Sequence, residues 1–260
     1  MIDYDKFDIN SLRLTYQQQI LDYDKFDINS LRLTYQQHSR YGLINIPNFL
    51  PDNITQKCAN ELDSLPLDQG KHFTRKGSCM YEYNDLSITP VQDKLVHALH
   101  SSKFIRWLER LTGVEKLLPD PHLVGAGYMK SFRGDTLQVH TDFNWVEETH
   151  LHKAVSIIIY FNKDWDSDWG GCLNFYDFNN EELLSSIKPD WGNMLVWNYG
   201  NLVYHGYPDP MTCPEDQSRK GIRLFYYQSR SKPDADNPPH RSMYWFDEKE
   251  RLPYDIKQIK

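Results

Sequence analysis

Residues 134–145 read GDTLQVHTDFNW, a short apolar run bounded by glycine, aspartate and asparagine. The same texture returns at approximately 122–132, 153–161, 171–177, 193–198, 202–207 and 220–229, with 136–142 lying inside the quoted stretch. Short strands at regular spacing, separated by turn residues, predict a sandwich or closed barrel. Upstream the pattern is helical. The stretch 90–113, PVQDKLVHALHSSKFIRWLERLTG, breaks near Ser101-Ser102 and predicts two helices, the second ended by Gly113. Pro51-Asp52-Asn53 predicts the start of a helix running to about Leu65, with Asp52 or Asn53 as its cap, and 43–49 reads as a strand before it. The expected fold is mainly β with N-terminal helices.

Side chains two apart on a strand point to one face, so His140 and Asp142 reach toward the same point. His205, in VYHGYPDP, follows 65 residues later, a separation that brings a late barrel strand back beside an early one. Two imidazoles and a carboxylate form the facial triad of non-haem Fe(II) sites, which leaves three adjacent coordination positions open. Ten histidines and 36 acidic residues in 260 yield about 1.4 His-x-acid pairs by chance, so the pair alone decides little. A rival pair, His150 and His152 in VEETHLHKAV, reads as a solvated loop with no further ligand at suggestive spacing.

On the last strand Arg219 and Arg223 share one face and Lys220 takes the other. An arginine facing the barrel interior needs a carboxylate partner, and a dicarboxylate co-substrate would provide one. Tyr160 is placed to donate its phenol to that carboxylate. The pair Gly170-Gly171 opens a strand at a tight turn and lets another backbone approach.

Net charge is −7 with no basic stripe, which disfavours phosphate-bound nucleic acid. Cys58, Cys79, Cys172 and Cys213 are widely spaced and read as reduced thiols of a cytoplasmic protein. The N-terminal MIDYDKFDIN lacks the apolar core of a signal peptide, and the longest apolar run, 154–161, is too short to span a bilayer. Residues 3–18 and 22–37 are the same sixteen residues, DYDKFDINSLRLTYQQ. A repeat that occurs twice and never returns is no solenoid. The expected division is therefore 1–21 as an extension or artefact, 22–120 as supporting helices and strand, 121–230 as the catalytic core, and 231–260 as a C-terminal tail packing on the core with little regular structure.

The segments GDTLQVHTDFNW, SIIIYFNKDWDSDWGGCLNFYD, VYHGYPDPMTCP and SRKGIRLFYYQS, with YGLINIPNFLP upstream, resemble the prolyl-hydroxylase-like branch of the 2-oxoglutarate/Fe(II) dioxygenases. The resemblance implies a double-stranded β-helix (jelly roll) with Fe(II) on His140, Asp142 and His205. It implies 2-oxoglutarate on Arg219 with Tyr160 assisting and Arg223 as the alternate, O2 as co-substrate, and ascorbate as reductant. Where that family carries a small hydroxyl residue two positions after the arginine, this chain has Gly221. The implied reaction hydroxylates an aliphatic C–H bond of a prolyl residue, an amino acid or another small molecule, with release of succinate and CO2. A small-molecule or peptide substrate is expected, and neither nucleic acid nor a membrane. Two other readings of the same residues are a cupin-like divalent-metal hydrolase or isomerase and a non-catalytic jelly-roll binding module.

Overall fold

A computed structural model describes residues 21–37, 42–177, 182–199, 203–232 and 238–245. The first copy of the repeat and the chain beyond residue 245 lie outside the described residues. Two antiparallel sheets face each other. The larger contains β1 (Leu43–Ile46), β2 (Lys71–Arg75), β3 (Ser78–Tyr83), β5 (Gly127–Ser131), β8 (Leu151–Tyr160), β11 (Met194–Asn198) and β13 (Arg219–Ser229). Their order is β1-β11-β8-β13-β5-β3-β2; β4 (Leu118–Pro119) pairs with β13, and β7 (Trp145–Val146) with β8. The smaller sheet runs β10-β9-β12-β6-β14, from β6 (Leu137–Thr141), β9 (Leu173–Tyr176), β10 (Leu183–Ile187), β12 (Tyr204–Tyr207) and β14 (Met243–Tyr244). From β5 to β14 the chain crosses repeatedly between the two sheets, as it does in a jelly roll, and the core is that fold.

Among the described residues four helices cover the outer face of the larger sheet: α1 (Ile28–Gln37), α2 (Asp52–Ser64), α3 (Pro90–Leu99) and α4 (Ser102–Thr112). On α4 the apolar residues Phe104, Trp107, Leu108 and Leu111 recur at i, i+3, i+4 and i+7, and all four are buried. Ser101 caps that helix by accepting from the Phe104 amide (3.2 Å), and Gly113 ends it at φ 77°. The second copy of the repeat docks here. Its Tyr23 packs on Phe104 and Trp107, and Ile28 and Tyr35 are buried.

The cap of α2 differs from expectation. Pro51 occupies the cap position without a side-chain bond, and Asp52 Oδ1 accepts instead from Trp191 Nε1 (3.1 Å). Glu61 of α2 in turn caps its neighbour, its two carboxylate oxygens accepting from the amides of Val91 and Gln92, both at 2.8 Å.

Other differences also have local causes. The strand expected at 122–132 begins only at Gly127, because Asp120 accepts from the amides of His122 and Val124 and holds a turn. The β2–β3 hairpin, absent from the sequence reading, turns on Lys76 and Gly77, both at positive φ (51° and 86°). β10 is half exposed and pairs with β9 through a bulge. In the tail, 238–245 packs on the core as expected but includes a short strand. Met243 and Tyr244 pair with Thr141 and His140, and Trp245 packs on Val139 and Tyr204.

Candidate metal centre

β12 lies antiparallel to β6 with His205 directly opposite His140. Their rings are 4.7 Å apart between centroids, and Asp142 follows two residues after His140. One ligand atom from each of the three lies within 4.8 Å of the others. All three are buried, at 5%, 7% and 5% exposure for His140, Asp142 and His205.

The hydrogen bonds fix the tautomers. His140 Nδ1 lies 2.7 Å from the Gln138 carbonyl, and His205 Nδ1 lies 3.2 Å from that of Val203. A carbonyl can only accept, so each Nδ1 carries the proton and each Nε2 presents a lone pair. Those lone pairs face Asp142, with His140 Nε2 3.3 Å from Oδ1 and His205 Nε2 4.0 Å from Oδ2. Oδ2 itself is buried without a hydrogen bond. Three acceptors turned toward one point suit a divalent cation, and the donor set is that of a facial triad.

The local electrostatics favour the ligating forms. Burial lowers the His205 imidazolium to about 4, with His140 adding to the effect, so the ring is neutral at neutral pH. Burial would raise the Asp142 carboxyl, but the Lys153 ammonium and the two histidines outweigh it and hold the group well below the ordinary carboxylate value.

Lys153 was not singled out from the sequence. It is fully buried, with Nζ 3.9 Å from Asp142 Oδ2 and 3.4 and 3.6 Å from the ring centroids of Phe225 and Phe143. Burial brings its ammonium down to about 7, against the pull of Asp142. Strict alternation would put Lys153 on the face of Val155. A register shift between Tyr226 and Tyr227 turns it toward the interior, opposite Tyr227.

Asn144 was also missed. Its Oδ1 accepts from the His240 amide (2.8 Å) and its Nδ2 donates to the Pro238 carbonyl (3.0 Å), while its own carbonyl accepts from the Lys153 amide (2.8 Å). It ties the tail to the end of β6 and the start of β8.

The two candidate arginines separate cleanly. Arg219 is 3% exposed; its Nε donates to the Gly171 carbonyl (2.7 Å) and its Nη2 to the Tyr160 hydroxyl (3.2 Å). Its guanidinium lies over the rings of Tyr207 (4.6 Å) and Tyr160 (5.0 Å), and no carboxylate among the described residues pairs with it. Arg223 has its own partner, Glu82 Oε1 at 2.5 Å, and donates to the Gly125 carbonyl. Gly171 sits at φ 72°, where a Cβ would meet Met211 Sδ at 2.7 Å and Arg219 Cδ at 3.2 Å. His150 and His152 do not form a second site. His152 is buried at the start of β8, not in a solvated loop, and neither joins a cluster of three ligating residues among those described.

The family model for the 2OG-Fe(II) oxygenase superfamily matches residues 126–227, the span from β5 to near the end of β13 that carries all three clustered residues and Arg219. Over residues 126–227 the chain is similar to that superfamily. The chain is 24% identical over 210 residues to prolyl 3-hydroxylase OGFOD1 of Mus musculus, a match that covers 75% of this chain and 33% of that protein. It thus spans about a third of the length of the curated relative it matches. Among solved structures, a Pseudomonas putida prolyl-4-hydroxylase superimposes with a TM-score of 0.56 at 15% identity, covering 77% of this chain and 100% of that one. A Trichoplax adhaerens prolyl hydroxylase, solved with a hypoxia inducible factor peptide fragment, gives 0.56 at 16%, covering 77% and 90%. At such identities these two likenesses show the shared fold. No helix among the described residues is long and apolar enough to cross a membrane.

Proposed function

We propose that the chain is a 2-oxoglutarate-dependent hydroxylase, with His140, Asp142 and His205 holding Fe(II) and Arg219 holding the distal carboxylate of 2-oxoglutarate. The observation that carries this reading is Arg219, a buried guanidinium with no carboxylate partner among the described residues. A hydrolase built on the triad alone would have no use for that cation. Its guanidinium lies over Tyr207, two residues beyond His205 on β12, or roughly 7 Å along the strand, which suits a five-carbon diacid.

The bound metal and co-substrate would supply the oxidising chemistry: one O2 is consumed, 2-oxoglutarate becomes succinate and CO2, and one C–H bond becomes C–OH. The chain's own residues do the rest. The two neutral Nε2 atoms and the Asp142 carboxylate fix the metal's protein face. Tyr160 holds the Arg219 fork in place, and Phe175 and Trp197 pack on His205 to exclude water. A cavity of about 390 Å³ is lined by Phe143, the residue after Asp142 in the chain, with Trp145, Val124, Arg75, Glu147 and Arg241 among others. That volume admits one side chain with its flanking backbone, consistent with a prolyl residue in a peptide or a small molecule of similar size. The prolyl hydroxylases among the relatives support the first.

The test is succinate release from 2-oxoglutarate by the aerobic protein with Fe(II) and ascorbate, followed by incubation with proline-containing peptides and measurement of a one-oxygen mass gain. Succinate formation abolished by Asp142→Ala supports the reading. No succinate under any of these conditions overturns it.

A further inference from the structure

Lys153 is more than packing needs at its position. Its Nζ is fully buried between the faces of Phe143 and Phe225, no hydrogen-bond acceptor reaches it, and its nearest anion is Asp142 Oδ2 at 3.9 Å. A methionine would fill the same slot without the cost of desolvating a charge. Arg223, the other cation facing this region, is balanced by Glu82, so the charge of Lys153 acts on the triad.

Counting charges shows what that does. Two neutral imidazoles, one carboxylate and a divalent cation sum to +1; a diacid brings two negative charges, of which Arg219 offsets the distal one, so the loaded site is neutral before Lys153 is counted. The ammonium adds one positive charge on the Asp142 side of the metal. Before the diacid arrives, Lys153 competes with the metal for Asp142; afterwards it attracts the chelating carboxylate in a site of low dielectric. Resting on the function proposed above, we infer that Lys153 is a positioning residue that keeps the metal loosely held in the free protein and makes binding of the 2-oxo diacid favourable.

The full chain and its Lys153→Met and Lys153→Arg variants are titrated with Mn(II) without oxygen, and then with 2-oxoglutarate once loaded. The Met variant is expected to bind Mn(II) about tenfold more tightly and 2-oxoglutarate about tenfold more weakly, with the Arg variant close to the parent in both. A purely structural role would weaken both together, and that result, or no change in either, overturns the inference. Should the Met variant fold only with metal present, it is purified loaded and its release of Mn(II) to a chelator is timed. Release slower than the parent supports the inference, and equal or faster release overturns it. If the loaded parent takes up no 2-oxoglutarate, the proposed function fails, and with it the diacid half of this inference; the Mn(II) titration then judges the metal half alone.

Discussion

His205 stands directly across the β6–β12 pair from His140, and each ring is held by a backbone carbonyl two residues before it in the chain. The two side chains are thus positioned by the sheet itself, and Asp142 joins them from the end of β6. Removing one ligand should leave the fold intact and abolish the site. Asp142→Ala and His205→Ala are expected to lose metal affinity and succinate formation by at least about a hundredfold, measured by Mn(II) titration and turnover.

The two arginines should fail differently. Arg219→Ala is expected to raise the KM for 2-oxoglutarate about a hundredfold with little loss of stability, because its charge is uncompensated by the protein. Arg223→Ala leaves Glu82 buried without its cation and should cost about 3 kcal/mol of stability while sparing that KM. Denaturant melts and steady-state kinetics separate the outcomes, and the reverse pattern would exchange the two roles.

Acid should unfold the metal-free protein through its histidines. Burial lowers both His205 and His100 to about 4, against the ordinary 6.5 they regain on unfolding. Between those values the unfolded chain binds more protons, so stability is fully present above pH 6.5 and is lost as pH falls toward 4. Each group contributes on the order of 3 kcal/mol across that window. Urea midpoints at pH 7.5 and 4.5 measure it, and equal midpoints would contradict it.

Gly221 has no room for a side chain. A Cβ there would meet the Ile159 carbonyl oxygen at 2.7 Å and Tyr160 Cδ1 at 3.4 Å. Gly221→Ser, which restores the hydroxyl residue of the resembled family, should therefore destabilise the chain by about 1–3 kcal/mol and disturb the Tyr160–Arg219 contact. A melting curve and the 2-oxoglutarate KM test both effects.

Asn144→Ala removes both side-chain bonds that fasten residues 238–240. Faster proteolysis of the tail is expected, with a stability loss of about 2 kcal/mol. Cleavage at the parent rate would show that Trp245 and the β14 pairing hold the tail unaided.

The triad was legible because a strand alternates strictly: once β6 was recognised, His140 and Asp142 had to share a face. The α3–α4 break was legible from Ser101 and Gly113 because caps and left-handed glycines leave local signatures. Lys153 was hidden by a bulge, which breaks the alternation any sequence reading relies on. Arg219 and Arg223 could not be told apart because the carboxylate that occupies Arg223 lies 141 residues away, on a hairpin turned by Lys-Gly instead of the commoner Asn-Gly. The tail looked like loop because its order comes from Asn144 and from the edge of β6, not from its own composition.

The most direct test is the visible absorption of the protein in the absence of oxygen, with Fe(II) and 2-oxoglutarate added together. Simultaneous seating of the metal on His140, Asp142 and His205 and of the diacid on Arg219 should give a weak charge-transfer band that Arg219→Ala reduces and Zn(II) does not produce. No band at saturating Fe(II) and 2-oxoglutarate would contradict it.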